Sequence, residues 1–276
     1  MSVAYVSKRV RILEQDLGVR LLHRTTRRVS VTEQGESVVH WAQRILDDVD
    51  HLHQEVAIAK SNPRGQLRIV SSFGFGRNRV APALSRLVER YPSLQVRLEL
   101  SDRLVDVATE GFDLDVRVGD EIAPHLMARR LADNHRILCA APSYIARRGM
   151  PRSLAELTGF DCIVIKERDH PFGVWRMRSN AQDETVKVTG PLSSNNGEVV
   201  VQWAVDGRGI ALRSLWDVSE HLEDGSLIQV LPDWRQEANV WAVYPTRLHS
   251  SAKVRVCVDF LEEYFSRSHR RAGMPS

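Results

Sequence analysis

The first clear pattern along the chain is a helical repeat of apolar residues near its start. These residues are separated by four, three and four positions, so they share one face of a helix: Val6, Val10, Leu13 and Leu17. Gly18 comes next and predicts the end of the helix, because glycine readily adopts the conformation that closes one. The segment His23–Val31 alternates loosely and is rich in arginine, which predicts a short basic hairpin.

A second, longer repeat predicts an extended helix over residues 33–60. Its apolar positions are spaced alternately by four and three residues, as in a coiled-coil seam: Val38, Ala42, Ile45, Val49, Leu52, Val56 and Ala59. Thr32 can cap this helix, and the charge of Glu33 suits its first turn. Since no neighbouring helix in the sequence could cover the seam, we expect a second copy of the chain to cover it. Packing against the chain's own body is the alternative.

From residue 66 onward, predicted strands alternate with predicted helices. The strands fall at residues 67–71, 95–100, 113–118, 136–141, 162–166, 185–188, 209–213, 227–231 and 240–244. The helices fall at residues 76–91, 103–111, 143–148, 154–157, 198–206 and 252–266. This alternation is typical of an α/β domain. Connections near residues 136–141 and 240–245 join two such series, so we expect two lobes, two chain crossings and a last helix that returns to the first lobe.

Composition narrows the class of protein. Of the 276 residues, 43% are hydrophobic and 26% are charged, which is ordinary for a soluble globular protein. No run of about 18 apolar residues occurs, and the N-terminus lacks the pattern of a signal peptide. The three cysteines lack metal-ligand spacing, and Cys139 and Cys162 lie in apolar runs. We therefore expect reduced, buried thiols, no metal site and a cytoplasmic protein without a membrane partner.

Positive charge is concentrated at the start of the chain. Residues 1–35 hold seven Lys and Arg residues against three acids, whereas the whole chain has a net charge of +3. A basic helix followed by a basic hairpin is typical of nucleic-acid binding, although a solvated helix with an exposed loop has the same pattern. The polar face of the first helix supplies candidate contacts to bases or phosphates: Ser7, Lys8 and Arg11.

Residues 6–35 resemble the end of the winged helix-turn-helix of LysR-type transcriptional regulators. VSKRVRILEQDLG matches the recognition helix, RTTRRVSVT the wing and TEQG the start of the linker helix. The resemblance covers essentially the whole chain apart from the tail after about residue 267. It implies a regulator that binds double-stranded promoter DNA and whose wing contacts backbone phosphates: Arg24, Thr26, Arg27 and Arg28.

The resemblance also implies how the chain is organised. Residues 1–32 would form a partial winged helix-turn-helix, and residues 33–60 a linker helix that pairs protomers into a homodimer or higher oligomer. Residues 66–276 would form a two-lobed effector-binding domain shaped like a periplasmic solute-binding protein. The family pattern has two helices before the recognition helix, and this sequence begins inside that helix. We therefore expect weak, salt-sensitive DNA binding; the alternative is a truncated effector-binding dimer without specific DNA binding.

Small polar residues follow three predicted strands and open three predicted helices. Their free backbone N–H groups and side chains could hold a carboxylate, or each side chain could simply cap its own helix. The resemblance places these turns in one cleft and implies effector contacts there: Ser72, Phe73, Ser101, Asn195 and Asn196. Arg117 is a sixth candidate, because it alternates with apolar residues; it could meet either the effector or a neighbouring acid.

No motif argues for catalysis. The sequence lacks a dinucleotide-binding fingerprint, a P-loop, an HExxH pair and a GxSxG elbow, so no cofactor is expected. An enzyme that uses the cleft between the lobes is a further alternative. SSFGFGRNRVAPAL and HPFGVWRMR resemble a branch of the family linked to small hydroxy-dicarboxylates, and a carboxylate is the expected effector.

Overall fold

The computed structural model describes residues 3–24, 29–56, 63–103, 105–166, 171–248 and 251–271. Two compact units make up the chain, residues 1–60 and residues 61–276. Within the described ranges, no helix is long and apolar enough to cross a membrane.

The first unit contains the predicted helix, hairpin and long helix. Its elements are α1 Val3–Leu17, β1 Leu22–Arg24, β2 Val29–Val31 and α2 Glu33–Val56, and the two strands pair antiparallel. Gly18 has a φ of +67°, so it ends α1 in the left-handed conformation as predicted. The cap of α2 is also confirmed, because the Gly35 N–H donates to Thr32 Oγ1 at 2.9 Å. Three predicted wing residues lie outside the described residues: Thr26, Arg27 and Arg28.

The second unit is built on twelve strands in two sheets. The strands are β3 Gly65–Ser71, β4 Leu94–Leu100, β5 Leu114–Val118, β6 Leu126–Ala132, β7 His135–Ala140, β8 Cys162–Ile165, β9 Val174–Arg178, β10 Asp183–Lys187, β11 Ser193–Ser194, β12 Ile210–Ser214, β13 Ile228–Glu237 and β14 Val240–Pro245. The α-helices are α3 Phe73–Phe75, α4 Ala81–Arg90, α5 Pro142–Arg148, α6 Gly197–Val205, α7 Leu215–Glu223 and α8 Ala252–Arg271. A π-helical turn, Gly76–Val80, joins α3 to α4 without a break.

Each sheet carries its own core and forms one lobe. The first sheet has the order β4-β3-β5-β14-β6, with β3 parallel to β4 and β5. Apolar side chains of α4 and α8 pack on it, among them Leu87 and Leu261. The second sheet has the order β10-β9-β13-β7-β12-β8-β11. Its central strand β7 is apolar on both faces because α5 covers one side and α6 and α7 cover the other.

The chain crosses between the lobes twice. It passes from β6 to β7 at residues 133–134 and returns from β13 to β14 at residues 238–239. The two crossings touch, since the Asn134 N–H donates to Asn239 Oδ1 at 3.2 Å. The strands predicted at 136–141 and 240–244 are therefore the first strands after each crossing. The last helix, α8, packs on the first sheet as expected, and the α/β fold class is confirmed.

The structure differs from the predicted elements in several places. Residues 103–111 form turns in the described part of the chain, not the predicted helix. Asp106 Oδ1 accepts hydrogen bonds from the N–H groups of Ala108 at 2.9 Å and Thr109 at 3.3 Å, and such local bonds compete with helix. The helix predicted at 76–91 begins earlier, at Phe73. Four of the strands and helices named above were not predicted at all: β6, β9, β11 and α7.

Candidate functional site

A cavity of about 130 Å³ lies between the two lobes of the second unit. It opens at the carboxyl ends of parallel strands from both sheets. Ser72 follows β3 and Asp102 follows β4 in the first lobe, while Lys166 follows β8 and Asn195 follows β11 in the second. The carboxyl ends of strands are where open α/β sheets bind their ligands.

Arginine side chains from both lobes line this cavity. Arg117, on β5, is 8% exposed and donates from Nε to Asp115 Oδ2 at 2.9 Å. Arg213, on β12, is also 8% exposed and donates from Nε to Asp217 Oδ2 at 2.9 Å. Arg117 therefore meets a neighbouring acid, which is one of its two open interpretations; it also lines the cavity, and its contact with an effector stays a prediction. Desolvated guanidinium groups bind carboxylates through paired N–H donors.

Further polar groups complete the walls. Buried Arg136 lines the cavity and donates from Nη1 to Gln236 Oε1 at 2.7 Å. Lys166 also lines it and is exposed. Two acids, Asp102 and Glu121, lie in the first-lobe wall. The cavity thus carries both signs of charge, and three of its four cations, Arg117 excepted, come from the second lobe.

The small polar residues predicted at helix starts divide into two groups. Ser72 precedes α3 without a side-chain capping bond, so its hydroxyl does not cap that helix. Asn196 does cap α6, since its Oδ1 accepts from the N–H groups of Glu198 at 3.0 Å and Val199 at 3.1 Å. Ser101 Oγ accepts from the Arg103 N–H at 3.3 Å. Capping or local bonding therefore accounts for Ser101 and Asn196 but not for Ser72.

The cavity contains half of the six predicted effector contacts: Ser72, Arg117 and Asn195. Phe73, Ser101 and Asn196 are neighbours of its lining in sequence but do not line it. Phe73 is exposed, and its backbone N–H donates to Asp102 Oδ1 at 3.0 Å. Sequence reasoning missed eight lining residues with polar or aromatic side chains: Phe75, Asp102, Glu121, Arg136, Lys166, Arg213, Ser214 and Trp216.

In the first unit, the predicted DNA contacts of α1 lie at its surface. Lys8 and Arg11 are exposed and Ser7 is half-buried. The apolar face of the same helix is also largely exposed, including Leu13 and Leu17. Arg24 belongs to β1, but its side chain lies outside the described residues.

The predicted seam of α2 is exposed as well. Ile45 is 59% exposed, Val49 and Ala42 are exposed, and Val38 is half-buried. The apolar surface is wider than predicted, because other large side chains of the helix are also exposed: Val39, Trp41 and Leu46. The backbones of Leu52 and Val56 belong to α2, and their side chains lie outside the description.

The thiols and the acids give no sign of a metal centre. Among the residues that the structure describes, no group of three or more His, Cys, Asp or Glu side chains could hold a metal ion. Cys139, Cys162 and Cys257 are buried and form no disulfide. Burial raises the pKa of the Cys139 and Cys162 thiols to about 12, which keeps them protonated.

Two family profiles match consecutive parts of the chain. Residues 1–36 match the bacterial regulatory helix-turn-helix protein, lysR family, and residues 60–266 match the LysR substrate binding domain. The chain is 59% identical over 266 residues to the HTH-type transcriptional regulator DmlR of Escherichia coli strain K12, covering 96% of this chain and 87% of that protein. It is 47% identical over 272 residues to the HTH-type transcriptional activator TtdR of the same strain, covering 99% and 87%.

Solved structures of similar proteins share the fold. CrgA, a LysR-type transcriptional regulator from Neisseria meningitidis, superposes with a TM-score of 0.64 at 30% identity, covering 95% of this chain and 90% of that one. The full-length Vibrio cholerae virulence activator AphB superposes with a TM-score of 0.62 at 26% identity, covering 96% and 90%.

Proposed function

We propose that this chain, which belongs to the LysR family of transcriptional regulators, responds to a small organic carboxylate held between its two lobes. Regulators of this family bind promoter DNA, bind small-molecule effectors and oligomerise. What is proposed for this chain is the chemistry of the effector, the residues that contact it and the DNA, and the helix that pairs two copies.

The observation that carries the proposal is the set of cations around the interlobe cavity. Arg117, Arg136 and Arg213 are largely desolvated and line the cavity together with Lys166. A guanidinium has five N–H donors, so an arginine that is bound to one carboxylate can also donate hydrogen bonds to a second anion. The α6 start, at Asn195 and Gly197, adds backbone N–H groups at the same wall. These features favour a ligand with at least one carboxylate.

The first unit supports the DNA-binding and pairing roles. Exposed Lys8 and Arg11 on α1, with the basic wing, would contact phosphates and base edges. The wide apolar surface of α2 would be covered by α2 of a second copy, giving a homodimer. A promoter-binding regulator acts in the cytoplasm, and the proposed role needs no catalytic step.

Calorimetric titration with a carboxylate panel tests the effector proposal. The panel contains succinate, malate, tartrate and glutarate, with succinamide as the uncharged control. We expect at least one carboxylate to bind and succinamide not to bind. Lys166→Gln and Asn195→Leu should each weaken that binding about tenfold, since a bond to a charged group is lost or displaced. Lys187→Gln, an exposed change on β10, is the matched control.

Two results would contradict the carboxylate proposal. Equal affinity for succinamide would show that charge is not recognised. Unchanged affinity in both cavity variants, with their thermal unfolding intact, would move the effector site elsewhere.

Gel shifts with a promoter fragment at several salt concentrations test the DNA proposal. Lys8→Ala and Arg11→Ala should each weaken binding and reduce the slope of log affinity against log salt by about one if the lost contact is to phosphate. Arg97→Ala, an exposed change in the second unit, should leave both quantities unchanged.

A further inference from the structure

The π-helical turn Gly76–Val80 of the first lobe reaches across to the second lobe. Arg77 Nη2 donates to Glu198 Oε1 at 2.5 Å, and Asn78 Nδ2 donates to the same oxygen at 3.3 Å. Arg79 Nη2 donates to the backbone oxygen of Trp216 at 3.3 Å. Turns of this kind are rare and recur at functional sites. Three consecutive side chains of this turn therefore bind the opposite lobe.

Both partners of the turn adjoin the cavity. Glu198 lies in the first turn of α6, directly after Gly197, which lines the cavity. Trp216 lines the cavity itself, and its ring meets that of Phe75, another lining residue, at 5.1 Å in an edge-to-face arrangement. A displacement of Glu198 or Trp216 from the turn would therefore separate two walls of the same cavity.

We infer that Glu198 is a positioning residue for effector binding. It accepts hydrogen bonds from Arg77 and Asn78, and these bonds hold the two lobes together. The inference rests on the proposed function. A ligand that contacts residues of both lobes can do so only when the lobes are close. Its apparent affinity is therefore reduced by the fraction of molecules in which they are apart.

Such a contact contributes only a small free energy. A small free energy is nevertheless enough to change the fraction of molecules in which the two lobes are close. Arg77 is 66% exposed in its side chain, and exposed ion pairs contribute little to global stability. In the Arg86–Glu89 pair on α4 the arginine is similarly exposed, at 68%, but this pair joins residues of one helix. The Arg77–Glu198 pair instead joins the two lobes, and at 2.5 Å it is shorter than two other contacts between side chains of the two lobes in the described residues, Arg176–Glu121 at 3.5 Å and Asn196–Asp102 at 3.3 Å. Removing the Arg77–Glu198 pair should change affinity about threefold to fivefold while leaving the melting temperature nearly constant.

A double-mutant cycle on the full chain tests this inference. Arg77→Ala, Glu198→Ala and the double variant are titrated with the tightest-binding member of the succinate, malate, tartrate and glutarate panel. We expect each single change to weaken binding threefold to fivefold and the double change to add little, because both remove the same contact. Glu198→Gln, which keeps the acceptor oxygen, should restore part of the affinity. Arg86→Ala is the matched control.

Lobe separation is measured independently of any ligand. Spin labels are attached to Ser85→Cys on α4 and Ala155→Cys in the second lobe, both exposed positions. The native thiols are buried, so labelling is selective. An excess of unlabelled protein is added so that the measured distances are those within one protomer. Glu198→Ala should broaden and lengthen the ligand-free distance distribution, and Arg86→Ala should not.

The outcomes separate this inference from the proposed function. An unchanged distance distribution in Glu198→Ala would overturn the inference, as would strictly additive effects of the two single changes on affinity. If the unmodified protein binds no compound of the panel, the proposed effector class is wrong, and the distance measurement alone decides whether Glu198 holds the lobes together.

Discussion

The guanidinium group of Arg213 lies directly over the backbone of Gly197. A Cβ atom at position 197 would lie 2.7 Å from Arg213 Cζ and 3.0 Å from Nη1, which is closer than packed atoms approach. Arg213 cannot easily give way, because it is buried and bound to Asp217. Glycine is therefore required here for space, so that a buried cation can cover the start of α6 beside the cavity.

Gly197→Ala should weaken effector binding without unfolding the protein. The added methyl group would push the guanidinium away from its present position in the cavity wall, so we expect at least a tenfold loss of affinity, or about 1.4 kcal/mol. Calorimetry against the carboxylate that binds best measures it. Gly159→Ala is the control, since nothing lies within 4 Å of a Cβ atom there. Unchanged affinity in Gly197→Ala would show that Arg213 does not contact the effector.

The second prediction concerns a buried ion pair that attaches the last helix to the first sheet. Lys253 Nζ, on α8, lies 3.2 Å from Asp113 Oδ1 and donates to the Gln66 backbone oxygen at 2.6 Å. Both charged side chains are buried. Lys253→Met would leave the Asp113 charge buried without its cation, so urea unfolding should show a loss of about 3–5 kcal/mol.

Two further variants show whether charge is the cause of that loss. Arg255→Ala changes an exposed residue of the same helix and should stay within about 0.5 kcal/mol of the unmodified protein. Adding Asp113→Asn to Lys253→Met should recover part of the stability, because a neutral amide costs less to bury than a carboxylate. No recovery would point to lost packing of the lysine side chain.

Most elements could be predicted because their apolar spacing is local, and the missing ones show the limits of that signal. β6 is an edge strand with exposed residues at its centre, so LMARRLA shows no alternation. α7 begins directly after β12 with no turn residue between them, which conceals its short helical repeat. β9, in contrast, alternates buried Trp175 and Met177 with exposed arginines, and this signal was available.

The cavity was harder to predict than the fold. Ser72 and Asn195 could be identified because small polar residues directly after a strand are a local feature. Arg213 has the same sequence signal as Arg117, a cation near the end of an apolar strand, but it went unrecognised. Arg136 and Arg213 lie in one wall because β7 pairs with β12. No local spacing encodes the pairing of strands about seventy residues apart in the chain.

The third prediction is that the native thiols do not react. Burial raises the pKa of Cys139 and Cys162 to about 12 and also raises that of Cys257, whereas the thiolate is the reactive form. With Ellman's reagent at pH 8, we expect no rapid reaction of the native protein and three reactive thiols in guanidinium chloride. Because the folded pKa lies above the unfolded one, stability should fall as the pH rises past about 8.5.

A Ser85→Cys variant provides the positive control, since its exposed thiol should react at once. Rapid reaction of a native thiol would mean that one of the lobes opens locally far more often than the whole chain unfolds.

The last prediction is that the protein pairs through α2. Ile45 is 59% exposed and Leu46 is 65% exposed, on a helix whose apolar surface also includes Trp41 and Val49. Covering a side chain of this size contributes roughly 1.5–3 kcal/mol, and in a homodimer every residue counts twice. Ile45→Asp with Val49→Asp would place four carboxylates in the shared surface. We therefore expect sedimentation velocity at micromolar concentration to show a dimer for the unmodified protein and a monomer for the double variant.

Ser37→Asp on the same helix serves as the control, because Ser37 is exposed and lies to one side of the row formed by Val38, Ala42, Ile45 and Val49. It adds a negative charge near the helix N-terminus, where such a charge is favourable, so the dimer should persist. If the Ile45→Asp, Val49→Asp variant is still a dimer, the main contact between protomers lies in the effector-binding unit. The exposed apolar surface of α2 would then need a different occupant.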